Sequence, residues 1–330
     1  MRQSRWTSDG LELFEVEAGP VPAGQARIRV AACGICGSDL HRWHAPAHAL
    51  GGVPGHEVVG WVEEGPSGLR DCLYAIEPRF RCETCVLCRS GKSHLCEQGG
   101  IFGVHAPGGL ADWIDVPTDA LHEVPAGVDP VLASMAEPLA VAVRACHQGR
   151  IQARSRVLVL GAGAIGLLCG LVARDRGARV GITARHAHQR QAALRLGLEA
   201  LDEAGGRDWL GAERPQSVIE TVGGKARTLE DALEACASAG RVVVLGLFTQ
   251  AARIDAMRLM ERELELVGSN TYGHEHGSEF AGGVALLERY AGELALLQTH
   301  RFPLEALTEA FTTADDKRSG AIKVTLTTAT

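Results

Sequence analysis

Val157-Leu158-Val159-Leu160-Gly161-Ala162-Gly163-Ala164-Ile165-Gly166 joins an unbroken aliphatic run to a G-x-G-x-x-G turn. Four consecutive aliphatic residues suit a parallel strand buried on both faces. The turn opens a stretch of helical texture, Gly161 to Asp175, so the motif stands in the strand–turn–helix context that gives it meaning. Gly161 makes the tight turn, Gly163 lets a pyrophosphate approach, and Gly166 permits close helix packing. Ala164 and Ile165 then lie at the helix N-terminus, where phosphate charge is favoured. The rival reading is a glycine turn that holds no ligand.

Working outward toward the C-terminus, strand and helix textures alternate. Arg179 to Thr183 reads as strand, His188 to Leu196 as helix, Ser217 to Val222 as strand, Thr228 to Ala237 as helix. Arg241 to Leu247 and Leu264 to Ser269 close the series, which predicts a doubly wound parallel sheet. An NAD-specific site carries Asp or Glu near the end of the second strand, for the ribose hydroxyls. Here that place holds Thr183-Ala184-Arg185-His186, with His188 and Arg190 beyond. Arg185 can pair with a 2′-phosphate, which favours NADP(H) and leaves NAD(H) as the alternative. A solvated basic loop is the other reading of the same residues.

Toward the N-terminus, short alternating runs broken by Gly and Pro fill Leu11 to Trp61, and predict a β-rich, partly barrel-like unit. Pro54-Gly55-His56-Glu57 sits on a turn before one of these strands. Gly65 to Asp71 reads as loop, Leu73 to Ile76 and Gly109 to Val116 as β, and Val131 to His147 as helix, with Pro138 in its first turns. The tail from Phe280 reads as two helical stretches and a closing strand, Ile322 to Leu326, returning to the first domain. The expected division is therefore 1–142, 143–274 and 275–330, the last segment completing the first.

The 330 residues suffice for two cores. A net charge of −7 argues against nucleic acid or anionic lipid as the main partner. The most apolar run, Val157 to Ala173, contains four glycines and falls short of a membrane span. Met1 to Gly10 is polar and carries no apolar leader. The expectation is a soluble cytoplasmic protein whose ten cysteines bind metal rather than form disulfides.

Cys82-x-x-Cys85-x-x-Cys88 followed by Cys96 places four thiols where they can surround one tetrahedral zinc, in a structural site closed to water (residues 82–96). An iron–sulfur cluster is a second reading of that spacing, and a loop with incidental thiols a third. Gly34-Ile35-Cys36-Gly37-Ser38-Asp39-Leu40-His41 brings a thiol, a hydroxyl, a carboxylate and an imidazole into eight residues. A catalytic zinc needs about three protein ligands and an open position. Cys36, His56 and one carboxylate, from Glu57 or Glu137, would supply them.

These segments, in this order, resemble the zinc-containing medium-chain alcohol dehydrogenases over nearly the whole chain. The markers are Cys33 to His41, Gly55 to Gly60, the four-cysteine lobe, Gly108 to Trp113, Ala136-Glu137-Pro138-Leu139 and Gly161 to Gly166. The Glu-Pro-Leu element looks most like the polyol and threonine dehydrogenase branches. The resemblance implies a GroES-like catalytic domain interrupted by a Rossmann domain. It assigns Cys36 and His56 as ligands of a catalytic zinc, and Glu57 and Glu137 as acids that bind it directly, through water or in alternation. Asp39 would fix the His56 tautomer. Ser38 would stand beside the substrate oxygen, His41 at the outer end of a proton relay, and Lys323 near the pyrophosphate and Glu57.

The resemblance thus implies a hydride-transferring enzyme with two zincs per chain, acting on a secondary alcohol, polyol or amino-alcohol, in a homodimer or tetramer. The sequence departs from the pattern at Arg70-Asp71-Cys72-Leu73, where Gly-Asp-x-Val is usual. In the lobe, Glu83 replaces a common glycine and His94 a common asparagine. Trp43, His44 and His105 lie near pocket-building motifs and read equally well as packing residues. A catalytically silent dinucleotide-binding sensor is the rival reading, and a thiol switch in the four-cysteine lobe a further one.

Overall fold

The computed structural model describes residues 1–45, 51–202, 209 and 213–328. The chain forms two compact units, Met1–Glu137 with Gly273–Thr330, and Pro138–Tyr272.

In the second unit, Arg156–Leu160 is the central strand of a six-stranded sheet. Across the sheet the strands run Glu199–Leu201, Arg179–Thr183, Arg156–Leu160, Ser217–Glu220, Arg241–Val244 and Glu265–Gly268, all parallel. In chain order this is 3-2-1-4-5-6, the doubly wound arrangement with a crevice where strand order reverses. The apolar run explains its place: Val157, Leu158 and Val159 are fully buried. Helix Ala164–Asp175 is buried continuously from Gly166 to Ala173, as its apolar composition demands. The strand Glu199–Leu201 was not legible in the sequence, because its three residues are only half-buried and have too little apolar run to register.

In the first unit, Gln25–Gly34 is the hub. It pairs antiparallel with Glu57–Glu64, Trp113–Pro117 and Lys323–Thr327. The full sheet has seven strands, extended on one side by Gln298–Pro303 and on the other by Leu73–Ile76 and Leu121–Glu123. Its apolar face gathers Trp6, Ile28, Val30, Ile76, Ile114, Phe311 and Leu326 into one core.

Two strand registers shape the site. Gly34 lies opposite Glu57 on one neighbour and Thr325 on the other. Since side chains two apart on a strand share a face, Lys323 points the same way as Thr325.

The tail is richer than the sequence suggested. It holds three helices, Glu279–Arg289, Ala291–Leu297 and Leu307–Asp315, and a strand, Gln298–Pro303, parallel to the closing strand. Gln298–Pro303 is nowhere fully buried, so its sequence lacks the apolar signature of a core strand. The helix expected over 131–147 is two helices, Pro130–Ala133 and Ala136–Gln148. Asp129 starts the first, its Oδ1 accepting from Val131 N at 2.7 Å. No described helix is long and apolar enough to cross a membrane.

Candidate functional site

Cys36 precedes the helix Gly37–Trp43, and its backbone N–H donates to Asp39 Oδ2 at 3.0 Å. Asp39 is wholly buried, and its Oδ1 faces His56 Nδ1 at 3.9 Å, an electrostatic contact in which neither atom has a hydrogen-bond partner. His56 follows Gly55, whose φ of +99° only glycine adopts readily and whose Cβ would strike Cys33 Sγ and Leu110 N at 2.7 Å. Glu57 begins the next strand and is 1% exposed.

Ligand atoms of Cys36, His56 and Glu57 lie within 4.8 Å of one another. Glu137, at the start of its helix, is buried and electrostatically coupled to His56 and Glu57, but stands outside that close set. Lys323 Nζ ion-pairs with Glu57 Oε2 and donates to Ile35 O at 3.0 Å. The register explains why Gly34 is glycine: a Cβ there would sit 2.0 Å from Glu57 Oε2 and 2.9 Å from Lys323 Cε.

The electrostatics suit a cation. Three carboxylates, Asp39, Glu57 and Glu137, are buried near the thiols of Cys36 and Cys33, and among the described residues His56, Lys323 and, for Asp39, Arg42 answer them. Burial pushes Glu137 up to about 7, against the pull of His56. Burial alone would lower His56, yet Asp39, Cys36 and Glu137 together hold it well above its ordinary value. A divalent ion would answer that concentration of negative charge, and thiol, imidazole and carboxylate are the donor set of a zinc site.

The second cluster is unambiguous in shape. The four lobe sulfurs are separated by 3.5 Å (Cys85–Cys88), 3.5 Å (Cys82–Cys96), 3.9 Å (Cys85–Cys96) and 4.0 Å (Cys82–Cys88). Sulfurs about 2.3 Å from one ion form a tetrahedron with edges of about 3.8 Å. A disulfide would need about 2.05 Å, and a cluster that gives each cysteine its own iron would spread the sulfurs wider. One zinc fits. Thr84 Oγ1 and the Cys88 backbone N–H hydrogen-bond to Cys82 and Cys85 sulfurs. The Thr84 hydroxyl leads a set of hydrogen bonds that draw Cys82 down to about 6, while burial and the neighbouring thiols push Cys88 up to about 12.

Glu83, at the position of the common glycine, has φ +60°. A left-handed conformation costs a residue with a Cβ about 1–2 kcal/mol, of which glycine would return part as unfolded-state entropy. Its ion pair with Arg81, 3.5 Å, is exposed and weak. Glu83→Gly should therefore stabilise the zinc-loaded lobe by about 0.5–1 kcal/mol, read as slower zinc loss to a chelator. Faster loss would show that the carboxylate matters more than the backbone.

At the glycine turn, each residue has its own reason. Gly161 takes φ +100°, nothing lies within 4 Å of where a Gly163 Cβ would be, and a Gly166 Cβ would strike Gly161 O at 1.8 Å. Gly161 N donates to Thr183 Oγ1 at 3.0 Å, and Thr221 Oγ1 donates to Leu160 O at 2.8 Å. Thr183 thus braces the turn from the next strand. Arg185 is exposed beside it, whereas Arg190 Nη1 is engaged by the carbonyls of Ala184 and Arg185 at 3.1 and 2.9 Å. Arg190 holds the loop that presents Arg185.

Ser38 is half-buried and His41 exposed on the short helix that buries Asp39. Trp43, His44 and His105 serve packing and hydrogen bonding. Trp43 packs at a tilt against Phe311 (ring centroids 5.3 Å apart), His44 Nε2 meets Asp315 Oδ1 at 2.9 Å, and His105 Nδ1 accepts from Ile101 N at 3.1 Å. Two contributors escaped the sequence reading. Gly34 heads the stretch that carries Cys36 and Asp39, but only strand register shows what it accommodates. Thr221, a hydroxyl at the end of an apolar strand, was the available signal for the second brace of the turn.

Comparison with known proteins agrees with this geometry. Residues 22–126 match the alcohol dehydrogenase GroES-like domain and residues 164–289 the zinc-binding dehydrogenase domain. The chain is 30% identical to L-galactonate-5-dehydrogenase of Escherichia coli K12 over 307 residues, 88% of each chain. It is 32% identical to L-threonine 3-dehydrogenase of Saccharopolyspora erythraea over 329 residues, 95% of each. Alcohol dehydrogenase TADH of Thermus sp. ATN1 superposes with a TM-score of 0.87 at 27% identity, covering all of both chains. With two domain matches in this order and relatives alike over almost their full length, the chain belongs to the zinc-binding medium-chain dehydrogenase/reductase family, related to the polyol, threonine and sugar-acid dehydrogenases.

Proposed function

We propose that the protein is a zinc-dependent alcohol dehydrogenase that passes a hydride between a secondary alcohol, polyol or amino-alcohol and a nicotinamide dinucleotide, with NADP(H) preferred. The observation that carries this reading is the convergence of Cys36, His56 and Glu57 within 4.8 Å in a buried, acid-rich setting. Residues 1–137 with 273–330 act as the catalytic domain, and residues 138–272 bind the dinucleotide. The relatives' names, a galactonate 5-dehydrogenase and a threonine 3-dehydrogenase, favour a hydroxyl within a carbon chain over a terminal one.

Cys36, His56 and a carboxylate from Glu57 or Glu137 would hold a zinc ion, which would supply a Lewis acid to lower the pKa of the substrate hydroxyl. Asp39 faces His56 Nδ1 and so keeps the hydrogen on that nitrogen. Lys323 holds Glu57 and neutralises part of the local negative charge. Ser38 and His41 are three apart on one helix and share a face. Ser38 Oγ would accept the substrate proton while passing its own hydrogen to a cofactor ribose hydroxyl, and the exposed His41 imidazole would take up the proton at the outer end and release it to solvent. Gly161, Gly163, Ala164, Ile165 and Gly166 receive the pyrophosphate, and Arg185 the 2′-phosphate.

The test is a screen of NADPH and NADH oxidation against ketones, keto-sugars and aldehydes, run on the protein and on Arg185→Ala. A charge-assisted pair of about 1.5–3 kcal/mol corresponds to a KM for NADPH raised about 10–100-fold in the variant, with NADH little changed. Equal use of both cofactors by both proteins would overturn the cofactor assignment. Absence of turnover with every carbonyl in the presence of zinc would overturn the function.

A further inference from the structure

The edge of the six-stranded sheet where its strands begin carries a second feature. A cavity of about 450 Å³ opens there, lined among others by Arg150, Arg154, Ser217, Arg241 and Glu265. Ser217, Arg241 and Glu265 lie side by side in register as the first residues of three adjacent strands. Leu160, Thr183 and Glu220, beside the glycine turn, end their strands at the other edge. Strands of four or five residues at about 3.3 Å per step separate the two edges by about 10–13 Å. The cavity is therefore a separate place from the turn at Gly161.

Its charge is unbalanced. Three arginines and a single acidic residue are among the residues that line it. Glu265 is gripped twice, by Arg150 Nη1 on Oε1 at 2.7 Å and by Arg241 Nη2 on Oε2. Arg241 also donates from Nη1 to Gln148 O at 2.8 Å, while its Nε is buried without a hydrogen-bond partner. The exposed Arg154 side chain has no hydrogen-bond or ion-pair partner among the described residues. The wall is also unusual in its backbone. Arg150 (φ +49°), Arg154 (φ +67°) and Ala239 (φ +56°) all take left-handed conformations that disfavour side chains. Such conformations persist only where surrounding structure enforces them.

We propose that this cavity binds a small oxyanion-bearing metabolite, phosphorylated or carboxylated, on Arg150, Arg154 and Arg241, with Glu265 as the resident anion that the ligand displaces. Planar guanidinium forks match phosphate and carboxylate oxygens in pairs, and converging forks give such a ligand an orientation as well as an affinity. The cavity volume accommodates a small metabolite and exceeds what a lone ion needs. The site lies wholly within residues 138–272 and does not depend on the zinc chemistry.

Calorimetric titration of the zinc-loaded full chain tests this, with NADPH in excess so that the glycine turn is not offered to the probe. Inorganic phosphate and succinate are the two probes, at fixed ionic strength. Saturable binding of at least one is expected, and the tighter of the two identifies the oxyanion. Arg154→Ala should weaken it about tenfold, through loss of one charge-assisted contact. Glu265→Gln should tighten it by a similar factor, because the competing carboxylate is gone. That opposite sign cannot be mimicked by a damaged fold. No saturable heat from either probe, or affinities unmoved by both substitutions, would overturn the proposal.

Discussion

Alanine at Cys36 or at His56 should lower carbonyl reduction by about three orders of magnitude, because a Lewis acid is worth several kcal/mol of barrier. The two residues reach the cluster by different routes, one before a short helix and one after a glycine turn, so each variant removes a donor without disturbing the other's support. Zinc per chain should fall toward one, and quenching of tryptophan fluorescence by the dinucleotide should persist. That combination separates a lost metal from a lost fold. Wild-type turnover in either variant would sink the assignment of the cluster. A parent protein with only one zinc, and no turnover at all, would instead favour a silent dinucleotide binder.

The second large effect belongs to the lobe. Cys85→Ser should remove the other zinc, and with it the order of residues 82–96. Very little else holds that segment: Val86 is 81% exposed and Leu95 43% exposed, so almost no apolar burial offsets the entropy of ordering it. Its outward contacts are few and polar, such as Ser93 Oγ to His274 Nδ1 at 3.1 Å and Lys92 to Glu275 at 3.7 Å. Structural zinc sites in small domains contribute about 10 kcal/mol or more of apparent folding free energy. Limited proteolysis should therefore cut between Cys82 and Cys96 in the variant and spare the zinc-loaded parent. If mild oxidation of the parent strips that zinc reversibly and changes activity, a thiol switch becomes the better account of the lobe. Retained zinc and protection in Cys85→Ser would show that three sulfurs suffice.

Much of this was legible in the residues. Val157 to Gly166 announced the central strand and its turn because its pattern depends on local sequence alone. The cysteine spacing announced a metal site for the same reason, and the sulfur separations, not the spacing, favour one ion over an iron–sulfur cluster. What stayed hidden depended on pairing between distant segments. Gly34 reads as an ordinary glycine until the register sets it opposite Glu57. Glu199–Leu201 and Gln298–Pro303 are strands because a neighbour offers them an edge, not because their own residues insist on it. Arg190 reads only as a basic residue beyond the second strand until its Nη1 is seen donating to the carbonyls of Ala184 and Arg185. The cavity at Arg241 had no signature at all, since its arginines are scattered over nearly a hundred positions and converge only through the sheet.

The hub strand Gln25–Gly34 waits for a partner, Lys323–Thr327, that is almost three hundred residues further along. The nucleotide-binding half, Pro138–Tyr272, is continuous and needs nothing made after it. On the ribosome, then, the middle of this polypeptide can complete its sheet before its beginning can. The hub's earlier neighbours, Glu57–Glu64 and Trp113–Pro117, can pair with it at once, so what stays open until Lys323–Thr327 emerges is the edge at Ala32–Gly34, just before Cys36.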